Sequence, residues 1–248
     1  LLLQYYGQER GRYSNDADHY HVDEVNDLRT FSALHRLLTE NPHYLSDYEC
    51  FFFPDDDIQM DAATVSALFA VHRELGFGLS QPALSADSYF SHSMMLAHPG
   101  VGARQVNFVE VMCPIFSRPV LLRCLPTFTQ SVTSWGLDWV WQTLLPGTGE
   151  RAGIIDCLPV RHSRPVGGGD NYVGLAESPF EEGRRVCADY GIHLGQRMKV
   201  DRAWDCDFRP LPTRSMAQRL LLALPRPTRQ GNAPGDGYAD SLRWHARL

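Results

Sequence analysis

The sequence predicts an α/β fold. Short apolar runs that read as strands alternate with segments of helical period, and 44% of the 248 residues are apolar, enough to fill a core. A third observation is more specific. The run Cys50-Phe51-Phe52-Phe53-Pro54 reads as a buried strand end, stops in Asp55-Asp56-Asp57, and is followed by a helix that Asp61 can cap. Strand, acids and helix in that order make one half of a β–α–β unit.

In chain order, residues 1–6 read as a first strand ended by Gly7, and residues 8–27 as a polar surface loop. Leu28, Phe31, Leu34, Leu37 and Leu38 give a helix that Pro42 closes. Residues 48–53 are the strand before the acids. Val65, Leu68, Phe69, His72 and Leu75 share one helical face, stopped by Gly76-Phe77-Gly78. Residues 79–84 are extended around Pro82, and 88–96 and 104–114 read as two strands parted by Pro99-Gly100. Short helices are expected at 118–125 and 136–145, then a strand at 152–156. After Gly167-Gly168-Gly169 the character changes. A helix is expected at 179–190, charged irregular chain at 196–214, a short helix at 215–224, and a tail rich in proline and glycine at 225–237. One α/β domain over 1–170 and a helical extension over 171–248 is the simplest division.

Formal net charge is −6, from 29 acidic and 23 basic residues, and no basic stripe appears, which argues against a nucleic-acid surface. The six cysteines, at 50, 113, 124, 157, 187 and 206, form no CxxC pair, and three sit in apolar runs. A reducing, cytoplasmic setting is expected. No apolar stretch has the length of a transmembrane span and no secretory signal is visible. The chain opens on Leu1 rather than methionine, so a targeting segment ahead of it is left open.

The acids carry the chemistry. Along extended backbone Asp55 and Asp57 face one way and Asp56 the other. Two adjacent carboxylates repel each other, and a hard divalent cation, Mg2+ or Mn2+, relieves that repulsion while gripping substrate phosphates. An acidic turn after a strand is the plainer alternative.

The chain resembles an uncharacterised glycosyltransferase-like family of plants and bacteria. The likeness rests on Tyr5-Tyr6-Gly7, Phe53-Pro54-Asp55-Asp56-Asp57, Ser80-Gln81-Pro82-Ala83-Leu84 and the segment from Phe108 to Ser117, continuing through Trp135-Gly136-Leu137-Asp138 and Ile154-Ile155-Asp156 to His162. That family is similar to metal-dependent glycosyltransferases of GT-A fold. The resemblance implies a three-layer α/β/α architecture with a mixed central sheet, a nucleotide-sugar donor and a hydroxyl acceptor such as a glycan. It makes Asp55-x-Asp57 a DXD-type metal motif, with Asp57 the direct ligand and Asp55 acting through water or on the ribose. Asp56 would hold the ribose or orient its neighbours, and His162 would complete the metal shell. Asp138, at a helix start between Trp135 and Trp139, becomes the base, and with no separate nucleophile the displacement inverts. Plain alternatives are a loop histidine at 162 and an N-cap at 138.

Chemistry extends this set. An imidazole ligand tilts the preference toward Mn2+. Arg161 and Arg164 flank His162 and can reach phosphates. Glu110, an acid in an apolar run, needs a partner, and is read as a structural or acceptor-orienting group. Gln81 can bond a sugar or nucleotide, or simply satisfy backbone. Trp135 is the best stacking candidate, with Trp139 and Trp141 more suited to the core. Gly167-Gly168-Gly169 reads as a lid hinge and, lacking a following Lys-Ser/Thr, not as a P-loop. The function expected is a metal-dependent glycosyltransferase. Two alternatives are a metal-dependent nucleotidyltransferase or phosphoester hydrolase, which needs a second cradle that only Asp156 offers, and a non-catalytic carbohydrate-binding protein.

Overall fold

The main sheet has seven strands and mixed direction. The computed structural model describes residues 1–5, 9, 11–22, 30–166 and 175–212. The sheet order is β3 (Cys50–Phe52), β7 (Ile115–Ser117), β5 (Phe77–Leu84), β8 (Arg151–His162), β6 (Ala103–Val106) and β9 (Val200–Trp204), with β4 (Ile58–Gln59) pairing onto the end of β8. Only β5 and β8 run parallel within it; the other neighbours are antiparallel. A separate parallel pair, β1 (Leu2–Tyr5) with β2 (His19–Val22), stands outside the sheet.

Helices flank this sheet because consecutive strand residues point to opposite sides. Ile115 and Ile155 face α3 (Ala62–Glu74), joining Leu68, Val71 and Leu75. Phe116 and Ile154 face the larger core, built with α1 (Thr30–Glu40), α4 (Arg118–Cys124) and α5 (Leu137–Thr143). A register shift between Phe77 and Leu79 sends those two residues to opposite cores. Every residue of β5 is buried, as its central place requires.

The capping expected at Asp61 is present: its carboxylate accepts from the Thr64 amide at 2.7 Å. Pro42 closes α1 and then opens a further short helix, α2 (His43–Asp47). The sheet departs from expectation in four places. Residues 88–96 form no strand; they make a loop with a 3-10 turn at Ser93–Met95, because Arg104 draws the carbonyls of Met94 and Leu96 onto its guanidinium at 2.8 and 3.1 Å. The strand expected over 104–114 stops at Val106. Phe108, Val109 and Glu110 are buried in the loop that follows. β8 is far longer than the predicted 152–156 and carries His162 at its end. The chain expected to be irregular near 200 supplies the edge strand β9, and the loop expected over 8–27 contains β2.

α6 (Pro179–Asp189) packs on α5 and starts with a reciprocal capping box between Ser178 and Glu181. Residues 175–212 therefore supply one helix and one strand of the main sheet. The glycine run at 167–169, the helix expected at 215–224 and the proline-rich tail lie outside the described residues. Among the described residues no helix is long and apolar enough to cross a membrane.

Candidate functional site

The three aspartates form a turn that links the sheet's edge to the end of β8. Phe53 holds the approach, its ring set among Phe31, Phe51, Phe116 and Phe128 with centroids 5.9–6.5 Å away. Beyond β3 the chain stays pinned, with Phe53 N–H donating to Pro114 O at 3.0 Å and Asp55 N–H to Met112 O at 2.8 Å. Ile58 N–H closes the turn on Asp55 O, and Ile58 then pairs opposite His162. From the other side, the Ser163 amide and hydroxyl both donate to Asp57 O, at 3.0 and 2.9 Å.

His162 is buried at the end of β8 and held on three sides. Its backbone N–H donates to Ser88 Oγ at 3.1 Å. Its Nδ1 lies 2.9 Å from Tyr89 O. A carbonyl only accepts, so Nδ1 carries a proton. Nε2 then points at Asp57 Oδ2, 3.1 Å away. Arg164 stands over the same group, with Nε 3.4 Å from Asp57 Oδ2 and its outer nitrogen bonded to Asp56.

The electrostatics follow from this crowding. Burial works against charge on Asp57, but the His162 hydrogen bond and the charges of His162 and Arg164 outweigh it and hold Asp57 below the usual carboxylate range. Burial likewise opposes charge on His162, yet Asp57 and the Tyr89 carbonyl raise its pKa overall. Burial first, and then the charge of Asp57, push Asp55 up to about 7.

The pair fits a divalent cation. Two ligand atoms about 2.1 Å from an octahedral ion, at right angles, stand about 3 Å apart, and Nε2 and Oδ2 are 3.1 Å apart. An Nδ1–H donated to a backbone carbonyl is the usual outer support of a metal-binding histidine. Asp57 Oδ1 is buried with no hydrogen-bond partner. Among the described residues no three His, Cys, Asp or Glu side chains close on a metal by themselves. Mg2+ and Mn2+ are commonly held by one or two protein groups plus substrate phosphates.

A second group of acids lies beside this one. Glu110 is 3% exposed, and its backbone N–H donates to Gln81 Oε1 at 2.6 Å. Gln81 is thereby spent on backbone, its Nε2 donating to Pro82 O. Glu110 Oε2 has no partner. Burial, then the charge of Asp138, push Glu110 up to about 8 despite a bond from Ser91. Asp138 opens α5 and accepts from its neighbour Trp139 N–H at 2.9 Å, with a further backbone bond from Val111. A helix start favours the carboxylate, but burial prevails and Asp138 rises to about 7.

Other expected site residues stand apart. Arg161 projects from the exposed side of β8, bonded to Gln59 at 2.9 Å and paired with Asp87 at 2.9 Å. Trp135 is half-buried in the turn before α5, whereas Trp139 and Trp141 are core residues, Trp139 tilted against Phe108 with ring centroids 4.3 Å apart. Asp156 is enclosed by the Arg104 fork at 2.9 and 3.0 Å and by the His98 amide at 3.0 Å. Ser88, Tyr89 and Ser163 were not foreseen. Tyr89 and Asp57 act there through main-chain carbonyls, which carry no side-chain signature.

Asp55, Asp138 and Glu110 set the pH dependence of stability. Their folded pKa values, about 7, 7 and 8, exceed the unfolded values near 4. Each contributes stability that is complete below about pH 4 and lost as pH rises through its folded value. His162, also raised, runs the same way. His72 and His98 are buried and lowered to about 4 and 3, so their contribution is present above about pH 6.5 and fades on acidification. Between pH 6.5 and 8 the raised groups outweigh what remains of the histidine titration. Thermal melts without metal should show stability falling across that window, by roughly 1.4 kcal/mol per pH unit for each proton released on unfolding. A flat or rising profile would contradict these assignments.

No protein-family model and no curated protein matches the chain. Among solved structures it is similar to A197 from STIV, at 13% identity and a TM-score of 0.34, over 80% of this chain and 82% of that one. A likeness at that level carries no argument about activity.

Proposed function

We propose that the chain is a metal-dependent glycosyltransferase of GT-A type, moving a sugar from a nucleotide-sugar to a hydroxyl acceptor with inversion. The observation that carries this reading is the meeting of Asp57 with His162, 105 residues apart, with Nδ1 of the histidine committed to the Tyr89 carbonyl. Asp57 and His162 would hold Mg2+ or Mn2+, with Asp55 beside them. The bound ion would neutralise charge developing on the departing diphosphate. Arg164 adds positive charge next to Asp56 and Asp57, where phosphate or ribose would lie.

Asp138 is the base in this reading. A carboxyl with a pKa about 7 is half ionised at neutral pH, the poise that proton abstraction favours. It takes the acceptor's hydroxyl proton as that oxygen bonds the sugar carbon and the carbon–diphosphate bond breaks. The hydrolase or nucleotidyltransferase alternative is less well supported, because the extra ligand it needs, Asp156, is committed to Arg104. Buried free thiols at Cys113, Cys124 and Cys187 accord with a reducing setting such as the cytoplasm.

The test is a thermal-shift screen of nucleotide-sugars with and without Mn2+, followed by transfer assays on Asp138→Asn. One nucleotide family should stabilise the protein only with metal. Asp138→Asn should keep that binding within about threefold and lose transfer by 100-fold or more, given the usual worth of a general base. Equal loss of binding and turnover would defeat the assignment, and binding of free glycans with no nucleotide response would favour a carbohydrate-binding protein.

A further inference from the structure

The turn that leads into Asp138 is held from outside the site. Residues 131–136 contain two left-handed backbone positions, Ser134 at φ 70° and Gly136 at φ 89°. For a serine that conformation is uncommon and persists only where surroundings impose it. The three residues just before Ser134 are held by one carboxylate. Glu182, on the first turn of α6, accepts from Ser131 Oγ at 2.9 Å, Val132 N–H at 2.7 Å, Thr133 N–H at 2.8 Å and the Thr133 hydroxyl. Burial opposes its charge, but these four bonds overcome it and hold Glu182 below its ordinary pKa.

Gly183 completes the fit. A Cβ on Gly136 would meet the Gly183 carbonyl oxygen at 2.9 Å and its Cα at 3.0 Å, so turn and helix touch backbone to backbone. Two residues beyond Gly136 comes Asp138. Its carboxyl is bracketed by α6 through Cys187, whose thiol burial and then Asp138 push up, and by the 107–114 segment through Glu110 and the Val111 amide.

We propose that Glu182 and Gly183 are positioning residues that lock the 131–136 turn and so set the carboxyl of Asp138 against the acceptor, a role that rests on the transferase reading above. A surface helix start would need no such clamp, since Ser178 already caps α6. Four bonds from one buried carboxylate to three consecutive residues of a strained turn serve the turn, not the helix. The clamp thus makes α6 part of the catalytic apparatus.

The test compares wild type, Glu182→Gln and Thr133→Val as full chains. Hydrogen exchange over 131–139 should quicken at least tenfold in Glu182→Gln, while exchange over 55–58 and 160–163 stays within twofold. The titration of Asp138, followed by NMR on 13C-labelled aspartate, should move down from about 7 as its surroundings open. The transfer kcat should fall tenfold or more with KM changed less than threefold. Thr133→Val removes one hydroxyl from the clamp and should move exchange and titration the same way by less, which keeps the test decisive if Glu182→Gln does not fold. A folded variant with unchanged exchange and unchanged Asp138 titration would overturn the clamp. Shifts in exchange and titration in a protein that transfers no sugar would leave the clamp standing and sink the transferase reading instead.

Discussion

Asp57→Asn is expected to weaken Mn2+-supported nucleotide binding by at least 100-fold in calorimetry, while leaving the metal-free fold intact. The substitution keeps shape and removes charge. Asp57 faces both His162 and Arg164, at 3.1 and 3.4 Å, and its second oxygen is buried without a hydrogen-bond partner. An asparagine offers a cation one neutral oxygen in place of a carboxylate, and outer-shell changes alone commonly cost 10- to 100-fold. The backbone of the turn is carried by other bonds, from Ser163, Met112 and Asp55, so it should persist. Asp56 gives the comparison: its side chain is 77% exposed and paired with an exposed Arg164 where ribose would lie, so Asp56→Asn should weaken binding by about tenfold at most. Equal losses in the two variants would remove Asp57 from its assigned place.

Arg104→Met should be the most destabilising single change outside the site, by about 3–5 kcal/mol, because it strands a buried carboxylate. Arg104 and Asp156 are both fully buried in their side chains, and the guanidinium makes two bonds to the carboxylate and two to the Met94 and Leu96 carbonyls. Removing it leaves Asp156 with only the His98 amide and leaves two loop carbonyls unpaired. In a chain of this size that lowers the melting temperature by roughly 6–20 °C. Arg104→Met combined with Asp156→Leu should recover a large part of the loss, since a volume-matched apolar pair avoids the uncompensated charge. Chemical denaturation of the single and double variants checks both statements, and a single variant as stable as wild type would refute them.

What was legible in the sequence divides by the range of the interaction. Asp61 capping α3, Pro42 closing α1 and the glycine stop before β5 are decided within a few residues, and the pattern shows them. The strand expected at 88–96 failed for a long-range reason. Two of its carbonyls, Met94 O and Leu96 O, are bonded to Arg104, eight to ten residues on, and an isolated bridge of Leu96 to Leu84 stands in place of a ladder. β9 was missed because an edge strand with Asp201 and Arg202 exposed has no apolar alternation to announce it. At the site, the acids were visible as a cluster, but their union with His162 spans 105 residues and came only from the resemblance. Arg161 and Arg164 look equivalent beside His162 in the sequence, yet strand alternation turns Arg161 toward Gln59 and Asp87 and leaves Arg164 with the aspartates.

The lateness of β8 has a consequence for biosynthesis. The turn at 55–57 leaves the ribosome about 105 residues before the imidazole it faces. At 5–20 residues per second that is a wait of roughly 5–20 s. Until β8 emerges, β5 lacks its parallel neighbour and β4 lacks its partner, so nascent chains halted before residue 151 would hold the carboxylates by the Met112 and Pro114 carbonyls alone, without Ser163 or His162.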